Sequence, residues 1–382
     1  LHLNHGSFGA CPSQILEQQT LLRQQMESNT LRFFEQELPE LLETARKALG
    51  LFLGAPAQDL VFVDNATTGI STILSNLDLI PGDRILVTDH GYNACSNAAR
   101  YFTKRASAEI DLINLPFPGS DANEFIERIL GACTSRTRLL LIDHITSPTA
   151  LIMPLEEIVP AVQQRGIQVL VDGAHAPGML PLRLTDLGAD YYTGNCHKWM
   201  CAPKGTAFLY VKPEHQLNLH PLTISHGMNR PVGDSTRFRL EFDWVGTRDL
   251  TGFLTLPALI EYMGGISNEG WAGLMARNRA LALEARDLIC QELGLESPCP
   301  VDMIGSLATV CLPVPKKGTF IDYHAVDPLK EILRHNHGIE VSLSAWPSPA
   351  GRYLRVSAQL YNSLVHYQQL TKALQVELGR GH

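Results

Sequence analysis

The chain has 382 residues, 45% of them hydrophobic and 18% charged, an ordinary globular composition with enough apolar material for a large core or two domains, which excludes a small disulfide scaffold. Its formal net charge is -8 and its Lys and Arg residues are scattered, so no general attraction to nucleic acid or anionic membrane is expected and small-molecule chemistry is favoured. The eight cysteines, at 11, 95, 133, 196, 201, 290, 299 and 311, form no CxxC pair and no zinc-ligand spacing, and no apolar run of about 18 residues occurs, so a reduced, cytoplasmic protein without a metal site or a membrane span is expected.

In chain order, a Gly-containing opening, Leu3-Asn-His5-Gly-Ser7-Phe-Gly-Ala-Cys-Pro12, leads into a helical stretch over 13–53. Strand character follows at 60–63, 84–88, 110–115, 139–143, 168–172, 191–194 and 206–211, alternating with helices at 67–77, 122–132, 155–164 and a single turn at 185–187. Several of these strands are unbroken apolar runs, as parallel strands covered on both faces should be. Past about residue 255 the texture changes to a long helix over 271–293, short strands near 303–312 and 338–343, and a terminal helix over 363–378. The pattern predicts an α/β fold with a mostly parallel central sheet in a large domain, 1–255, and a smaller α+β domain, 256–382. The first 20 residues are a candidate to pack on the smaller one.

The sharpest chemical signal is Gln168-Val-Leu-Val-Asp172-Gly-Ala-His175. An apolar strand ending in Asp-Gly puts a carboxylate at the carboxyl edge of the sheet, where α/β proteins bind ligands. His197-Lys198 follows another strand 26 residues after Asp172 and precedes a Gly-containing turn, so the amine can reach the same edge. A lysine that adds to an aldehyde must first lose its proton, and a carboxylate beside a pyridinium nitrogen keeps that ring electron-poor. Either residue alone would read as a surface lysine or a turn cap; the pair predicts pyridoxal 5′-phosphate, held as a Schiff base. Phe62-Val-Asp-Asn-Ala66-Thr67-Thr68-Gly69 runs from a strand into a helix start, where backbone N–H groups and two hydroxyls suit a phosphate. After the second strand, His90 and Tyr92 are two rings that could stack on the cofactor, and Tyr92 is the one we favour. A guanidinium in the strand-like Arg352-Tyr-Leu-Arg355 could grip a substrate carboxylate through two parallel hydrogen bonds.

These residues resemble the class V aminotransferase family, and more closely its isopenicillin N epimerase-like branch, over nearly the whole chain from Leu3 to Leu354-Arg-Val-Ser-Ala-Gln-Leu-Tyr-Asn362. The resemblance implies a fold type I pyridoxal-phosphate enzyme and a homodimer with shared active sites. It implies that Lys198 carries the cofactor, that Asp172 pairs with its ring nitrogen and that His175 lies near its phenolic oxygen. It also implies that Ala66, Thr67, Thr68 and His197 hold the phosphate, with Thr247, in Trp244-Val-Gly246-Thr247-Arg248, reaching it from the neighbouring subunit. Arg355 is placed by the same resemblance on the substrate carboxylate. Ser147 is a weaker candidate for the phenolic oxygen, and His5 and Ser7 are candidates to line the substrate pocket.

Proton removal from Cα opens epimerisation, β-elimination and transamination alike. The resemblance points first to an epimerase-like enzyme acting on an amino acid or a side chain that bears one, with a C–S lyase or an aminotransferase as the alternatives. A protein of this fold that binds without catalysing is disfavoured by the intact Lys198 and Asp172. A desulfurase using a nucleophilic cysteine ahead of Arg355 is disfavoured because 341–351, Val-Ser-Leu-Ser-Ala-Trp-Pro-Ser-Pro-Ala-Gly, contains no thiol. Nucleotide-binding signatures are absent: the chain has neither GxGxxG after a first strand nor GxxxxGK[ST].

Overall fold

The computed structural model describes residues 1–119, 121–314, 326–346 and 351–380. Seven strands form the main sheet: β1 Leu60–Val63, β2 Arg84–Thr88, β3 Glu109–Ile113, β4 Thr137–Asp143, β5 Gln168–Asp172, β6 Tyr191–Asn195 and β7 Ala207–Val211. Their spatial order is β1-β7-β6-β5-β4-β2-β3, and β7 alone runs against the others. The expected mostly parallel sheet is therefore present, with both of its faces covered. Alternate residues enter two separate cores, Val61, Ile85, Leu139 and Leu170 on one side and Phe62, Leu86, Leu140 and Val171 on the other. Because the parallel strands share a direction, Thr88, Asp143, Asp172 and Asn195 all arrive at one edge.

Two departures have local causes. The stretch over 13–53 is not one helix: Ser13–Ser28 stops at Asn29, whose backbone is extended at φ -159° and whose side chain accepts from the Arg32 N–H to start the next turn. Asparagine prefers such caps to helix interiors. A π-helical turn, Phe33–Glu37, then leads into Leu38–Leu53, which Gly54 closes in the left-handed conformation. The helix Asn93–Ala106, which the sequence reading passed over, packs beside Ala66–Ser75 and carries Cys95 toward the sheet edge.

A second sheet of three antiparallel strands, β8 Leu307–Leu312, β9 Ser342–Trp346 and β10 Gly351–Ser357, has β10 in the middle. The helices Gly270–Leu293 and Leu364–Gly379 pack against each other beside it. Leu3 donates to the Glu340 carbonyl and accepts from the Ser357 N–H, each at 2.9 Å, so the chain's opening is stitched to this smaller sheet region. It then runs to the Lys198 loop, where a Cβ on Gly9 would fall 2.0 Å from the His197 carbonyl oxygen. Only glycine fits that contact, at a φ of +72°. No helix among the described residues is long and apolar enough to cross a membrane.

Candidate active site

Asp172 ends β5 and is 2% exposed. Its Oδ1 accepts the Ala174 N–H at 3.0 Å and its Oδ2 accepts the Cys95 thiol at 3.1 Å. The glycine that follows is obligatory, since a Cβ on Gly173 would meet the Tyr192 ring at 2.2 Å. Beside it, in register on the neighbouring strand, lies Asp143, a residue the sequence reading did not single out. Burial and the Asp172 charge hold its carboxyl well above the ordinary carboxylate range, the Tyr92 backbone N–H donates to it, and its Oδ2 has no partner. Two parallel strands that both end in Asp were the available signal.

Lys198 lies in the turn between β6 and β7, half-buried, with Nζ 3.1 Å from His175 Nε2. Burial pushes its amine from the ordinary 10.5 down to about 8; Asp172 opposes the shift and Arg355 adds to it. His175 is 2% exposed and its Nδ1 accepts the Trp199 indole N–H at 3.2 Å. Amine, acid and guanidinium therefore act on one another across a single locus. An aromatic aldehyde added to the protein stripped of any cofactor should form an imine at Lys198 at a rate that rises with pH and levels off above about 8. Borohydride trapping across a pH series measures this; a midpoint near 10 would mean a fully solvated amine.

At the start of Ala66–Ser75 the Asn65 Oδ1 accepts from the Thr68 N–H at 2.9 Å and its hydroxyl at 3.1 Å, while the Ala66 N–H donates to Asn195 Oδ1 at 2.8 Å. Thr67, half-exposed between them, takes no part in this capping. His197 is half-buried, with Nδ1 3.1 Å from the Thr206 carbonyl. Thr247 is not brought to Lys198 within the chain: it is exposed on a surface cleft of ≈1500 Å³ also bordered by Phe34 and Trp244. Its neighbour Arg248 pairs with Asp64, just ahead of the Asn65 cap.

The two candidate rings separate cleanly. His90 is fully buried, with Nδ1 on Thr149 Oγ1 at 2.7 Å, Nε2 on the Leu115 carbonyl at 3.2 Å and its ring against Trp346 at 4.2 Å. Tyr92 is 45% exposed and close enough to act on the Arg355 guanidinium.

Arg355 and Arg352 share β10, and both are buried. Arg352 makes two 2.6 Å bonds to the Asp327 carboxylate. Arg355 has no carboxylate among the described residues: it donates to the Ser147 carbonyl, to Ser147 Oγ at 3.3 Å and to Asn4 Oδ1 at 3.4 Å, and its Nε is unpartnered. Burial pushes it down to about 10.

Ser147 thus stands on Arg355, and Ser7, half-exposed, donates to the same Asn4 Oδ1 at 2.8 Å. His5 is fully buried with both ring nitrogens engaged, Nδ1 with Tyr361 Oη at 2.8 Å and Nε2 with the Lys198 carbonyl at 3.0 Å. That sets its imidazole under the backbone of the lysine. Of the 341–351 segment, residues 347–350 lie outside the described residues.

Comparison with known proteins gives a match to the family Aminotransferase class-V over residues 10–302. The chain is 31% identical to isopenicillin N epimerase of Streptomyces clavuligerus, over 99% of this chain and 95% of that one. It is 30% identical to a probable chloroplastic L-cysteine desulfhydrase of Arabidopsis thaliana, over 97% of this chain and 82% of the relative. Among solved structures, the cystine C–S lyase C-DES bound to its product cysteine persulfide superposes with a TM-score of 0.79 at 20% identity, covering 98% and 96% of the two chains. A cysteine desulfurase from Escherichia coli gives 0.77 at 21% identity, covering 100% and 95%. Both share the fold type I architecture.

Proposed function

The chain belongs to the class V aminotransferase family and is a pyridoxal 5′-phosphate-dependent enzyme, and on that premise we propose that it acts at Cα of a small amino acid, with Lys198 as the reacting amine and β-elimination of a sulfur substituent as the reaction. The carrying observation is a half-buried amine 3.1 Å from His175 Nε2 that shares one locus with a buried guanidinium having no carboxylate among the described residues.

The donor set fits the cofactor. Asp172 would hold the ring nitrogen, His175 the phenolic oxygen and Tyr92 a ring face, while Ala66, Thr67, Thr68 and His197 would take the phosphate. Bound there, pyridoxal phosphate withdraws electrons from Cα and weakens a bond to it. Arg355 fixes the substrate by its carboxylate, and Lys198 Nζ then takes the Cα proton and returns one to the departing sulfur. Elimination from L-cysteine consumes one water and releases pyruvate, ammonia and hydrogen sulfide.

Elimination needs one base on one face, and the imidazoles His5 and His90 already have both ring nitrogens engaged. Relatives named as cysteine desulfhydrases support the same branch. Epimerisation is the second reading, supported by the similar identity to isopenicillin N epimerases. It requires a proton donor on the opposite face, for which Tyr92 is the candidate.

Incubation of the holoprotein with L-cysteine and L-cystine in D2O decides between them. Elimination yields pyruvate with hydrogen sulfide from cysteine or a persulfide from cystine, whereas epimerisation puts deuterium at Cα of recovered substrate. Neither outcome across an amino-acid panel would end the proposal.

We read the Thr247 cleft as a face between two copies of the chain. Mixing Lys198→Ala subunits with Thr247→Val subunits should then restore part of the activity, because one hybrid site per dimer is intact. Mixtures no more active than their parents would sink the shared-site arrangement.

A further inference from the structure

Trp199 is 1% exposed and gripped on two sides. A Cβ on Gly178 would lie 2.5 Å from its carbonyl carbon, and the His5 ring sits against its indole at 5.0 Å. An indole N–H donates and cannot accept. Its hydrogen bond to His175 Nδ1 at 3.2 Å therefore requires a lone pair on that nitrogen. A neutral imidazole then carries its proton on Nε2, which lies 3.1 Å from Lys198 Nζ. An N–H at that distance needs a lone pair on the amine, and an ammonium has none.

We propose that Trp199 is a positioning residue: by fixing the tautomer of His175 it favours the unprotonated form of the Lys198 amine. This rests on Lys198 being the reacting amine. The reverse arrangement, an ammonium donating to Nε2, would place the ring proton on Nδ1 against the indole N–H, two donors facing each other in a buried site. Burial already lowers the amine, and among its charged neighbours Asp172, Asp143 and Cys95 favour the cation while Arg355 disfavours it; none of these acts on the tautomer of the ring. Around the imidazole, Lys198, Arg355 and His5 all disfavour a second proton on the ring. The ring is thus neutral in either arrangement, and the tautomer is left for Trp199 to select.

The test needs no turnover. Nitrogen-15 NMR of the protein stripped of cofactor, at a pH above about 8 where the Lys198 amine is unprotonated, should show His175 protonated on Nε2 and bare on Nδ1; the opposite tautomer there overturns the proposal without any variant being made. The pH dependence of Lys198 modification by an amine reagent, read by peptide mass, gives the second measurement. Trp199→Phe should raise the midpoint from about 8 by about one unit, roughly tenfold slower modification at pH 7. In a His175→Gln background, whose amide cannot change tautomer, adding Trp199→Phe should leave the midpoint where it is. An indole that only fills space predicts no shift in either background, and a shift of equal size in both would also overturn the proposal. If borohydride reduction of the holoprotein marks a different lysine, the reading of Lys198 fails while the tautomer measurement stands.

Discussion

Lys198→Ala is expected to lower turnover on the order of 10⁴-fold and to abolish the borohydride-trapped adduct, because on the proposed function one amine serves both as cofactor anchor and as base. The two losses separate by measurement. Proton transfer by a positioned side chain contributes roughly 10²–10⁴-fold, and a small external amine added back to the variant should recover part of it. The covalent anchor cannot be recovered in that way, so rescued turnover would still come without an adduct on the protein. The cofactor should nevertheless bind, since Asp172, His175 and the Thr67 turn are untouched, and its absorption should shift to that of the free aldehyde. Lys198→Arg is expected to be as inactive as the alanine variant, because guanidinium stays protonated and does not add to an aldehyde. Retention of a tenth or more of wild-type turnover by Lys198→Ala would remove the lysine from the chemistry.

What could be read from the chain followed the range of the interaction involved. β1, β2 and β5 fall where their unbroken apolar runs place them, because two-sided burial is written in consecutive residues. Asp172 was legible for the same reason: a strand that ends in Asp-Gly delivers the acid to a predictable edge. The break at Asn29 was missed because apolar spacing persists across it and a single side-chain cap decides it. Residues whose surroundings depend on distant partners carried little local signal. His5 looked like a loop histidine near a pocket, yet its partners are 193 and 356 residues away. Ser147 looked like a cofactor contact, and its partner Arg355 is 208 residues away. Asp143 and Trp199 each sat beside a residue that had been noticed. Strand register and one indole direction, neither of them a property of the local sequence, gave them their places.

Arg355→Ala is expected to reduce kcat/KM on the order of 10²–10⁴-fold, mostly through KM. Two hydrogen bonds between charged groups are lost, each contributing about 1.5–3 kcal/mol. Arg355→Lys keeps the charge and loses the fork, and should fall between that variant and wild type. Thermal stability supplies the discriminating sign. Arg352, three residues earlier, is neutralised by Asp327, so its removal strands a buried carboxylate and should lower the unfolding midpoint. Arg355 has no such acid among the described residues, and burial already drags its guanidinium down to about 10. Its charge is held at a cost the folded chain does not offset, so Arg355→Met should leave the cofactor-loaded protein as stable as wild type or more so. A carboxylate ligand such as the substrate amino acid should raise the midpoint of wild type and leave that of Arg355→Met unchanged. Were Arg355→Met to destabilise the protein as Arg352→Met does, the guanidinium would be a structural cation whose partner is the Ser147 loop. A substrate carboxylate would then have to bind elsewhere.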